Sequence, residues 1–159
     1  MLNDFTKYTP LNEYLRKVNM EDAELLLEWA NDSTTRQNSF SSEQIDYNDH
    51  IEYLKRKLDS SDSAWYILCV NGEDVGQARI EMKDNEAIIS YSIAPKHRNK
   101  GYGKKILVLL EKQIKSDYPF IDILIGKTKI NNGISIRKFE QLNYQKSTDF
   151  ECIEYRKHI

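Results

Sequence analysis

The chain has little that would tie it together covalently or through metal. Two cysteines, Cys69 and Cys152, stand among 159 residues, at no metal-ligand spacing and each within a strand-like run. Buried, reduced thiols of a cytoplasmic protein are expected rather than a disulfide framework. His50, His97 and His158 are the only histidines and are too scattered for a zinc site, so no metal is expected. No apolar run approaches the roughly 20 residues that cross a bilayer, so no membrane partner is expected. The opening Met1-Leu2-Asn3-Asp4 lacks a basic stretch leading into an apolar core, and no signal peptide is expected. Glycine (6) and proline (3) are sparse, and no linker, repeat or low-complexity tract occurs. Neither sign of charge is in large excess. With 23 Lys and Arg against 25 Asp and Glu, the formal net charge is −2, whereas a nucleic-acid binder needs many uncompensated cations.

What is present suits one globular domain: 40% hydrophobic and 30% charged residues over a length that can bury a core. Residues 1–12 read as a lead-in and 13–159 as the domain. Tyr14–Val18 reads as a strand. Asn19 caps a helix with Asp22 at its third position, and Leu25, Leu26 and Trp29 carry that helix to about Ala30. Residues 31–45 read as polar and irregular. Asp46 caps a second helix whose stripe is Tyr47, Ile51, Leu54 and Leu58. Three strands follow as a meander, Ala64–Val70, Val75–Met82 and Glu86–Ala94, joined by turns at Asn71-Gly72 and Lys83-Asp84-Asn85. A helix runs from Gly103 to about Ser116, a nearly all-apolar strand from Ile121 to Gly126, and a last helix from Asn132 to Leu142. Asn143 falls where a left-handed residue closes a helix, and residues 144–157 read as a hairpin. This order implies an α/β sheet covered by helices on both faces.

The chemistry concentrates between Glu86 and Lys105. A strand stops at Pro95, a basic turn follows, and a helix opens at Gly101-Tyr102-Gly103. First-turn N–H groups lack helical partners, and the helix dipole favours an anion there. Glycine lets the main chain approach that anion closely. With Arg98 and Lys104 or Lys105 adding charge, the segment is a diphosphate cradle. A Walker loop is excluded for want of the upstream glycine, and a dinucleotide fingerprint because Ile106 stands where its third glycine belongs.

Arg98-x-x-Gly101-x-Gly103, the preceding Ile93-x-Pro95, and a second block of Asn132-x-x-Ser135 and Phe139-Glu140-x-Leu142-Asn143-Tyr144 together resemble the GNAT family of N-acetyltransferases. The order of elements over about 14–157 resembles it as well. The resemblance implies an α/β (α+β) single-domain fold with a mixed, mostly antiparallel sheet of about six to seven strands. It also implies acetyl-CoA as co-substrate, held in a cleft between splayed strands 86–94 and 121–127. The main chain of Tyr91, Ile93 and Ala94 would meet the pantetheine arm. Arg98 and the amides of Asn99, Lys100, Gly101, Tyr102, Gly103 and Lys104 would hold the pyrophosphate, and Asn132 and Ser135 would approach the arm. A backbone N–H near Tyr91 or Ser92 would serve the oxyanion. Phe139 departs from the family's tyrosine acid and has no proton to give, which leaves Tyr91, Tyr102, Tyr144 or solvent.

The general base expected from strand alternation is Glu81, on one face with Gln77 and Arg79; the alternative is a solvated Arg79–Glu81 ion pair. Segment 29–50 is expected over the acceptor. Asn31, Arg36 and Ser39, with Gln77 and Arg79, would bind it, or the segment is a capped helix end and surface loop. A weaker resemblance to amino-sugar-nucleotide N-acetyltransferases makes a small-molecule amine the expected acceptor. A protein N-terminus or lysine, or a binding module without turnover, are the alternatives. A monomer or homodimer is expected.

Overall fold

The computed structural model describes residues 12–148 and 151–159; the expected lead-in falls almost wholly outside them. Seven strands form one sheet: β1 (Glu13–Lys17), β2 (Ser63–Val70), β3 (Glu73–Lys83), β4 (Glu86–Ile93), β5 (Ile123–Thr128), β6 (Gln145–Thr148) and β7 (Ile153–His158). Their order across the sheet is β1-β2-β3-β4-β5-β7-β6. The β4–β5 pair is parallel and the others are antiparallel. Among the described residues five α-helices accompany them: α1 (Ala23–Ala30), α2 (Ser33–Asn38), α3 (Tyr47–Asp59), α4 (Tyr102–Asp117) and α5 (Gly133–Gln141).

Local chemistry accounts for most of the joints. Asn71 and Gly72 both take positive φ, 50° and 84°, the two-residue turn that matches strand twist between β2 and β3. Asn19 and Asp22 form a reciprocal capping box at a short 3-10 turn that runs into α1. Asn143 is left-handed at φ 67° and closes α5.

Alternation along β2 divides the core. Tyr66, Leu68 and Val70 face α4 and α5, packing with Ile80, Ile106, Leu110, Leu124 and Phe139. Trp65, Ile67 and Cys69 face α1 and α3, packing with Leu26, Trp29 and Leu54. Two expectations are corrected. Residues 33–38 are helical, because Asp32 caps them by accepting from the Thr35 N–H at 3.1 Å. The buried face of α3 is His50 and Leu54, while Tyr47 is exposed.

Candidate active site

The sheet opens where β4 leaves β5. The two strands are in register from Glu86↔Ile123 to Ile89↔Gly126 and no further. Beyond that point β4 stays laddered to β3 as far as Ile93↔Gly76, and β5 stays laddered to β7 as far as Thr128↔Ile153. Each arm is therefore held on its outer edge while its inner edge, Ser90–Ser92 facing Lys127–Thr128, has no strand partner among the described residues and is open to another chain of amides. A cavity of about 700 Å³ runs through this fork, from the start of α4 to a chamber under α2 and α3.

At one end of the cavity the start of α4 is built for an anion. Helices α2, α3 and α5 begin on Asp32, Asp46 and Asn132, whose side chains accept from first-turn amides. Helix α4 begins on Gly101 at φ 83°, with no side-chain cap. Its first-turn N–H groups thus keep their capacity for a ligand. A Cβ on Gly103 would overlap the Lys138 side chain, which lies across the helix start and also lines the cavity. Thr128, on the β5 arm, has a buried hydroxyl with no partner among the described residues. These features fit a diphosphate joined to an amide-bearing arm. Asn99, Gly101, Tyr102 and Gly103 line the cavity, whereas Lys100 and Lys104 are exposed and are not part of its lining.

Three expected coenzyme contacts are changed by the surrounding structure. The guanidinium of Arg98 donates to the Ile93 carbonyl (3.1 Å), Asp32 (2.6 Å) and Thr35 (3.2 Å), so its charge is already matched. That bond takes up the Ile93 carbonyl, and the Ala94 N–H donates to Val75 at 2.9 Å. Burial, the largest influence, would raise the Asp32 carboxyl, but the hydrogen bonds from Arg98 and Thr35 and the Arg98 charge together outweigh it and hold Asp32 below the usual carboxylate range.

Around the fork, Tyr91 Oη and Ser135 Oγ lie 2.9 Å apart, and Asn132 caps α5 by accepting from the Ser135 N–H at 3.3 Å. Burial pushes the Tyr91 phenol above its ordinary value, which keeps it protonated at neutral pH. Phe139 stacks on Tyr155 with centroids 5.5 Å apart and fills the space that a Cβ at Gly126 would need. Tyr144 is buried behind it and does not line the cavity, which removes it as an acid. Tyr102 lines the cavity beside His97, near the helix start rather than the fork.

The acceptor chamber departs most from expectation. Trp65 Nε1 donates to Gln77 (2.8 Å), and Gln77 Nε2 donates to the Ser92 hydroxyl (3.0 Å), which frees that hydroxyl's own proton for the cavity. Arg36 donates to the carbonyls of Ala30 (2.6 Å), Ser41 (3.1 Å) and Glu43 (3.3 Å) and to Ser39 (3.1 Å). Its guanidinium shapes the chamber wall and has no spare fork for a phosphate. Asn31 is committed to both backbone groups of Ile45 and lies outside the lining. Glu81 lies outside it as well. Glu81 pairs in register with Ile88, below the fork, and its carboxylate meets Lys57 Nζ at 2.7 Å. That hydrogen bond holds Glu81 below the usual carboxylate range, the opposite of what a general base needs. Arg79, Tyr53, Trp65, Asp49 and His50 line the chamber. Of these, Tyr53, Trp65 and Asp49 carried no signal in the sequence, because helical and strand periods mark the core rather than a chamber wall.

No curated protein matches the chain. Among solved structures, aminoglycoside acetyltransferase AAC(6')-Ib in complex with coenzyme A superposes with a TM-score of 0.79 at 20% identity, covering 92% of this chain and 95% of that one. The ribosomal L7/L12 α-N-protein acetyltransferase RimL with coenzyme A gives 0.80 at 13%, covering 96% of each chain. Spermidine N-acetyltransferase from Vibrio cholerae, with CoA and spermine, gives 0.82 at 12%, covering 92% and 95%. At these identities the likeness is one of fold. The family model for the acetyltransferase (GNAT) domain matches residues 14–145, which takes in the fork, the glycine-opened start of α4 and the Asn132 cap: the chain belongs to the GNAT acetyltransferase family.

Proposed function

We propose that this N-acetyltransferase moves the acetyl group of acetyl-CoA to the primary amine of a small molecule, with an amino-sugar nucleotide as the acceptor expected from the sequence. The observation that carries the reading is the continuity of one cavity from the uncapped start of α4, through the fork, to a chamber lined by hydrogen-bonding groups. The structural neighbours include enzymes of aminoglycosides and spermidine, both small amines.

Acetyl-CoA supplies the activated acyl group. The amides at 99–104 and Lys138 would hold its pyrophosphate, and the open edges of β4 and β5 its amide arm. The Tyr91–Ser135 hydroxyl pair, 2.9 Å apart, would supply the proton that the departing thiolate takes up, a role that Phe139 cannot fill. Ser92, fixed by the Trp65–Gln77 relay, offers its hydroxyl proton to developing negative charge. The amine reaches the fork from the chamber and gives its proton to lining groups or to water.

Thiol release from acetyl-CoA, measured over a panel of amino sugars, amino-sugar nucleotides, polyamines and peptides with free N-termini, tests this. Release with a small amine and none with the peptides is expected. Release only with the peptides would overturn the small-molecule reading.

A further inference from the structure

The charge of the acceptor chamber does not match the polycationic amines of the structural neighbours. Arg79 lies on the chamber wall with its guanidinium carbon 5.1 Å from the ring centres of both Tyr53 and Trp65. Its Nε is buried with no hydrogen-bond partner among the described residues. The nearest carboxylate, Glu81, is 3.8 Å away and is claimed by Lys57 at 2.7 Å. Arg56 and Lys57 stand over the same Tyr53 ring, at 5.3 and 5.4 Å. Three cations therefore crowd one ring with Glu81 as the counter-charge among these contacts.

Arg36 adds a further charge to the wall. Every bond it makes is to a neutral oxygen, so nothing in them cancels it. Asp49 is the one acid lining the cavity among the described residues. Two aromatic faces hold the Arg79 guanidinium in place by stacking and strip part of its water. They leave its N–H fork without the carboxylate that such a group ordinarily finds. Gln77, two residues along β3, reaches Ser92 at the fork. Two strand residues span about 7 Å, so Arg79, in register with Ser90, follows Gln77 by about that step along β3 beside the fork.

We propose that Arg79 is the receptor for an oxyanion, carboxylate or phosphate, on the acceptor, so that the enzyme takes amines carrying a negative charge and discriminates against polycations. This rests on the chamber being the acceptor site of an acetyltransferase and names the substrate class of that site. The discrimination has two physical sources: a charge-assisted bidentate bond to the guanidinium, and the repulsion of a second ammonium by the cluster.

Paired acceptors that differ in one anionic group test the inference: glucosamine 6-phosphate against glucosamine for phosphate, and L-threonine against L-threoninamide for carboxylate. For the preferred pair, kcat/KM of the anionic member should exceed that of its neutral partner by about 10- to 100-fold. The pair that shows this identifies the anion. The Arg79→Gln variant should bring the anionic member down to its partner's level while the CoA dissociation constant stays unchanged. Arg79→Lys should recover part of the preference, which separates charge from folding. Quenching of Trp29 and Trp65 emission by glucosamine 6-phosphate or threonine, present in the parent and lost in Arg79→Gln, reads the same site without turnover. Thiol release that is equal or faster with glucosamine, threoninamide or spermine would overturn the charge requirement and leave the acetyltransferase reading intact. Quenching by the anionic probe with no thiol release from any amine would overturn that reading and sustain Arg79 as an oxyanion site.

Discussion

Three arginines on or near the cavity show that partners, more than residue type, decide what a guanidinium does. Arg98 is neutralised by Asp32, Arg36 is spent on carbonyls, and Arg79 is held by rings. The same logic applies to Glu81, whose side chain is nearly half exposed (46%) in its pair with Lys57. An exposed pair contributes about 0.2–1 kcal/mol. Glu81→Gln is therefore expected to leave kcat within about twofold and the pH–rate curve unshifted, as steady-state kinetics across pH would show. Truncating the Tyr91–Ser135 pair is expected to matter more. Tyr91→Phe with Ser135→Ala should lower kcat by about 100-fold, the scale of a general acid, without raising the KM for acetyl-CoA. Strand alternation placed Glu81 on the right face of β3 and at the wrong height. A period of two fixes the face, while height relative to the fork depends on the pairing of β3 with β4, a long-range property that the local sequence does not carry. Arg36 is expected from the sequence to bind the acceptor because nothing local shows the carbonyls of Ala30, Ser41 and Glu43 converging on it.

Elements with local punctuation were legible in the sequence. The Asn71-Gly72 turn, the Asn19 and Asp46 caps, the left-handed Asn143 and the stripe of α4 each depend on residues within a turn of one another. Helix α2 was not legible, because it buries none of its residues and is held by Arg98 from 66 residues away. On α3, His50 replaced Tyr47 in the buried face, with Nε2 2.8 Å from the Ala23 carbonyl. Burial pushes the His50 imidazole below its ordinary 6.5, so the unfolded chain takes up the proton first as pH falls. Its contribution is intact above about 6.5 and is lost progressively below it. Urea unfolding at pH 7.5 and 5.5 should show a loss of stability in the parent that is smaller in His50→Leu. Gly101→Ala, forcing a side chain into φ 83°, should lower stability by about 1–2 kcal/mol, read from the denaturant midpoint.

At the scale of the whole molecule, the Asp32–Arg98 clasp at 2.6 Å joins α2, which roofs the acceptor chamber, to the turn that leads into α4. Both ends of the cavity depend on it. Asp32→Ala should raise the KM of amine and acetyl-CoA together and cost about 1–3 kcal/mol through the unpaired guanidinium. The proposed function depends above all on the glycine-opened start of α4, beside the forked sheet, holding the pyrophosphate of the coenzyme. Calorimetric titration with CoA and with pantetheine, on the parent and on Gly103→Val, tests it most directly. CoA should bind the parent at least about 100-fold more tightly than pantetheine, and Gly103→Val should erase that difference while remaining folded. Equal affinity of CoA for both proteins, or of CoA and pantetheine for the parent, would contradict it.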